Sequence, residues 1–85
     1  MKELIDRYHQ QGSIPVFNRS THEQILREFV PGYEDDGFDA LERFADLHGY
    51  KVARIDYKFR FVFYPAGESD DCHEWKRVDV PVEHH

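Results

Sequence analysis

The chain has 85 residues, is 40% hydrophobic and 15% aromatic, and sets 17 acidic against 11 basic side chains for a formal charge of −6 at pH 7. That length holds one hydrophobic core and no second one, and so many large apolar side chains exclude a chain that is disordered throughout. The single cysteine, Cys72, cannot close an internal disulfide, nothing near Met1 resembles a signal peptide, and no apolar run reaches membrane-spanning length. We therefore expect a single α+β domain over residues 1–81 in a reducing, cytoplasmic setting, with no membrane association. Val82, Glu83, His84 and His85 read as a cloning scar and the start of a histidine tag.

Met1, Leu4, Ile5 and Tyr8 recur at helical spacing and Gly12 stands where a helix stops, which predicts a helix over 2–11. Ser13-Ile14-Pro15-Val16-Phe17 is extended, because the proline restricts Ile14 to the β or polyproline region, and it suits a sheet edge. Ser20 or Thr21 followed by Glu23 has the pattern of a capping box. It predicts a second helix that buries His22, Ile25, Leu26 and Phe29 and ends at Pro31-Gly32. Phe38, Leu41, Phe44, Ala45 and His48 define one face of a third helix over 38–48, with Gly49 as its stop. From Tyr50 the period changes to two. Ile55, Tyr57, Phe59, Phe61 and Phe63 alternate with Arg54, Asp56, Lys58 and Arg60, which predicts one long strand closed by Pro65. Trp75 to Val80 reads as a strand that returns against it as a C-terminal hairpin. The expected order, αβααββ with three helices and a small antiparallel sheet, resembles that of winged-helix domains in topology, without a shared motif.

Charge is divided along the chain. Residues 1–50 carry five bases against ten carboxylates, and residues 51–64 carry four bases against one. Asp35, Asp39, Glu42 and Asp46 are spaced to share one stripe on and just before the third helix. They are the expected contacts for a larger protein with a basic surface, with Tyr33 as an aromatic anchor beside them. The same stripe would bring carboxylates toward phosphates if this helix entered a DNA groove. The alternative is a nucleic-acid-binding hairpin. Lys51, Arg54, Lys58 and Arg60 interleave with aromatic residues as in binders of single-stranded nucleic acid, although Lys58 and Arg60 stand where the RNA-recognition-motif strand has glycine or alanine.

Catalytic and metal signatures are weak. Cys72 abuts His73 without the paired spacing of a zinc site, and adjacent strand residues point to opposite faces, which disfavours a nucleophile and base pair. His22 and His48 fall on helix faces that read as core. Phosphate-cradling glycine loops and nucleophile elbows are missing, so we expect no catalytic residues, no metal and no cofactor. The sequence therefore favours a small, non-enzymatic, regulatory or inhibitory protein-binding domain, with the general character of phage or mobile-element products. An unprotected strand edge makes a homodimer a further expectation.

Overall fold

The computed structural model describes residues 1–55, 59–67 and 75–82. The elements in order are α1 (Lys2–Gln10), β1 (Ser13–Asn18), α2 (Glu23–Phe29), α3 (Tyr33–Asp36), α4 (Phe38–His48), β2 (Tyr50–Arg54), β3 (Arg60–Pro65) and β4 (Lys76–Asp79). The fold is α+β, with a mixed four-stranded sheet in the order β2-β3-β1-β4. Among the described residues no helix is long and apolar enough to cross a membrane.

Alternation along the strands assigns the two faces of the sheet. Phe17, Phe61, Phe63, Tyr50 and Val52 face the helices and join Ile5, Leu26, Leu41, Phe44 and Val80 in the main core. Ile14, Val16 and Val62 form a smaller cluster on the other face, with Ala53, Ile55, Tyr64 and Trp75 against it. Aromatic rings hold the centre. Phe17 stacks on Phe61 at 5.6 Å between centroids and meets Phe63 edge-on at 5.7 Å, and Phe44 meets Phe63 edge-on at 5.7 Å. Such pairs add about 0.5–1.5 kcal/mol each beyond their burial.

The first expected strand is interior, not an edge: β1 pairs antiparallel with β3 and parallel with β4. Its proline is tolerated by position. The carbonyls of Gly12 and Val16 accept from Lys76 and Val80 on the β4 side, so Pro15 directs its nitrogen toward β3, whose register with β1 covers only Val16 to Asn18. The missing N–H therefore breaks no bond of that ladder.

The predicted long strand is two strands. β2 and β3 form a hairpin in the register Lys51↔Tyr64, Val52↔Phe63, Ala53↔Val62 and Arg54↔Phe61, closed by Ile55 N–H donating to the Arg60 carbonyl. Phe59 has φ 61°, a left-handed backbone that ends the extended run. With β2 and β1 taking both edges of β3, the C-terminal strand cannot hairpin onto it and instead lies parallel to β1 at the sheet edge.

Two helical details also differ from expectation. The residue that precedes α2 is His22, with no side-chain cap, because Ser20 spends its N–H and hydroxyl on Asn18 Oδ1 at 3.0 and 2.8 Å. Phe29 is 47% exposed at the end of α2, so the buried stripe of that helix is His22 and Leu26 with Ile25 half-buried. The added one-turn helix α3 is bounded by Gly32 (φ 81°) and Gly37 (φ 56°), both in backbone conformations that favour glycine.

Candidate functional site

The helix α4 buries Ala40, Leu41, Phe44 and Ala45 and exposes Asp39, Glu42, Arg43, Asp46 and Leu47. At about 100° per residue, Asp39, Glu42 and Asp46 lie within roughly 60° of one another around the helix axis. They form one line, flanked by Arg43 and then by Leu47, which is 78% exposed. Asp35 sits on α3, and the turn at Gly37 separates it from this line, so the expected stripe is three residues on one helix and a fourth on a short neighbour. Asp36 beside it is engaged by Arg43 at 2.6 Å. Tyr33 does not project from this surface. It is 6% exposed, and its hydroxyl accepts from Arg19 Nε at 3.1 Å.

A cleft of about 590 Å³ opens between the N-terminal turn of α4 and the β2–β3 hairpin. Tyr33, Phe38, Phe59 and Phe61 furnish aromatic walls, Arg19 and Arg54 supply positive charge, and Arg60 borders the cleft from the start of β3. The Arg54 guanidinium lies over the Phe38 ring, 4.6 Å from its centroid, and that of Arg19 lies 5.9 Å from the centroid of Tyr33. Among the described residues neither Arg19 nor Arg54 has a carboxylate within ion-pair distance, whereas Arg60 reaches Asp79 at 3.5 Å. The Arg19 N–H donates to the Phe59 carbonyl at 3.0 Å, which ties the end of β1 to a residue whose own side chain is 68% exposed.

The four bases expected on one hairpin face are divided. Arg54 is opposite Phe61 and so points to the helix side, where it meets Phe38. Lys51 and Arg60 alternate to the other side, and Lys58 lies outside the described residues. Of the three that are described, Arg54 and Arg60 border the cleft, and the Arg60 guanidinium turns away to Asp79. Among the cleft's other lining residues, Arg19 carries no local signal in the sequence, and Phe38 and Phe59 read there only as helix-face and strand positions, because the cleft is assembled from β1's end, α4 and the hairpin.

The histidines among the described residues pack and hydrogen-bond within the fold. His22 is 3% exposed, with its Nδ1 accepting from the Asn18 N–H at 2.9 Å and its Nε2 donating to the Val80 carbonyl at 3.1 Å. His9 Nε2 donates to the Phe63 carbonyl at 3.0 Å, and the His48 ring meets Phe44 edge-on at 4.5 Å. Among the described residues no three His, Cys, Asp or Glu side chains gather to hold a metal. Asp70, Asp71, Cys72 and His73 lie outside the described residues.

One electrostatic site joins α1 to β2. The Tyr50 hydroxyl donates to the Asp6 carboxylate, which also receives Lys2 Nζ at 2.6 Å. These bonds, that from Lys2 foremost, hold the Asp6 carboxyl below its usual range. Burial, and then the adjacent carboxylate, push the Tyr50 phenol above its own.

Comparison of the chain with protein-family models, with curated proteins and with solved structures finds no match.

Proposed function

We propose that this domain is a non-enzymatic, regulatory or inhibitory binding module whose α4 face engages a basic surface on a larger protein. The observation that carries this reading is the line of Asp39, Glu42 and Asp46, all exposed on one helix and bordered by the exposed Leu47. Solvated carboxylates with an apolar residue at their margin suit an interface in which charge complementarity sets approach and a buried side chain adds affinity. Asp35 extends the same charge from α3.

The winged-helix likeness belongs to this proposal as well. The order α1, β1, α2, α4, β2, β3 and the pairing of β1 with β3 and of β3 with β2 suit that topology. In such an arrangement α4 is the helix that would face a DNA groove, and its carboxylates oppose that use, which supports a protein surface as the target.

The test is capture of partners by the wild-type chain and by the charge-reversed variant Asp39→Lys/Asp46→Lys, each with and without nuclease. The reading expects a nuclease-resistant protein, retained near equal stoichiometry by the wild type and lost by the variant. Equal retention by both chains refutes it.

A further inference from the structure

The cleft beside α4 is independent of the acidic face, and its chemistry is the reverse. We propose that it binds a nucleotide unit, with the phosphate held by Arg19 at the N-terminus of α4 and the base set among Arg54 and the aromatic walls.

Three features converge on this ligand. First, α4 has no side-chain cap, and the Arg19 guanidinium stands beside its N-cap residue: a Cβ on Gly37 would lie 3.7 Å from Arg19 Nη2. A helix N-terminus carries partial positive charge and unsatisfied N–H groups, so a guanidinium next to it is unfavourable until an anion joins them. The nearest carboxylate in sequence, Asp36, is turned to Arg43 at 2.6 Å, and Asp39 in the first turn is on the exposed outer side.

Second, the walls are flat and apolar. The Arg54 guanidinium already lies over the Phe38 ring, 4.6 Å from its centroid, and Phe59 offers a largely exposed ring at the cleft. Aromatic rings and guanidinium planes are the surfaces on which nucleobases stack, and stacking contributes about 1–3 kcal/mol per base. Phe59 holds its place with φ 61°, a conformation that strains any side chain, and such strain collects at ligand sites.

Third, size and net charge select the form of the ligand. A cleft of about 590 Å³ lies within the range of small-molecule sites, roughly 300–1,000 Å³. A long polyanion would also feel the acidic face of α4 and a net charge of −6, whereas one nucleotide places its phosphate among the arginines alone.

Titration calorimetry of the full chain with AMP, adenosine, inorganic phosphate and a short single-stranded oligonucleotide tests the proposal. AMP is expected to bind saturably, with adenosine and phosphate each at least about tenfold weaker, since each lacks one half of the recognition. Arg19→Ala and Arg54→Ala are each expected to weaken AMP about tenfold or more, with the exposed Arg7→Ala as an unchanged charge control. Arg19→Lys and Arg54→Lys, with circular dichroism of every variant, separate lost binding from lost folding. Oligonucleotide binding no tighter than that of AMP upholds a mononucleotide site, and tighter binding of the oligonucleotide would overturn it. Absence of saturable AMP binding, phosphate binding as tight as AMP, or arginine variants that bind AMP like the wild type would each overturn it.

Discussion

The two sides of α4 differ in how they are supported. The acidic line of Asp39, Glu42 and Asp46 stands on one regular helix, and only the spacing of three residues is needed to build it. The cleft needs the end of β1, the N-terminal turn of α4 and a hairpin, brought together by a bond from Arg19 N–H to the Phe59 carbonyl and by a ring under each of two guanidiniums. A face made by one helix tolerates substitution residue by residue, whereas a cleft assembled from three elements depends on the core that positions them.

The largest expected effect removes that dependence at its root. Phe63→Ala deletes a fully buried ring that touches Phe17, Phe44 and Phe61, and should cost about 3–5 kcal/mol in urea denaturation. A loss under about 1 kcal/mol would mean that the aromatic centre is not the support described. His22→Ala comes next. It leaves the Val80 carbonyl and the Asn18 N–H without their partner at a buried position, for about 1–3 kcal/mol, and it should loosen β4 against β1 as seen by amide exchange at Val80.

Smaller effects sharpen the contrast at the surface. Tyr50→Phe removes the bond to Asp6 and should cost about 1 kcal/mol. Because the folded Asp6 carboxyl is held below its unfolded value, its contribution is present above the unfolded pKa and is lost as pH falls through the folded one. The acid side of a stability–pH curve should therefore be shallower for Tyr50→Phe than for the wild type, and identical slopes would detach Tyr50 from that titration. Phe59→Gly should raise stability, by up to about 1 kcal/mol, by relieving a left-handed backbone, while it weakens any ligand of the cleft. Smallest of all, Glu42→Gln and Asp46→Asn should change stability by less than about 0.5 kcal/mol, since neither residue is buried.

What the sequence revealed follows the same division. The helix faces were legible because amphipathic spacing is local: α1 and α4 run nearly where their apolar residues and stop glycines predict. The hairpin was not. Residues 55–59 contain no glycine or proline to mark a turn, and apolar alternation continues from β2 into β3, so two strands read as one. The pairing of β4 with β1 is a choice made by which sheet edges remain open, and no local pattern encodes it. Likewise, Asp39, Glu42 and Asp46 could be read from spacing, while Arg19 lies in a turn after β1 with nothing nearby in sequence to associate it with Phe38 or Phe59.

The central claim is that α4 separates two binding surfaces of opposite charge, and one crossed experiment tests it most directly. Asp39→Lys/Asp46→Lys and Arg19→Ala/Arg54→Ala would each be measured for retention of the captured protein partner and for AMP affinity. The account predicts that the acidic-face variant loses the protein and keeps AMP within about twofold, a change of under about 0.5 kcal/mol, while the arginine variant does the reverse. If either variant, while still folded, loses both activities, or if neither loses any, the two surfaces are not the separate sites described.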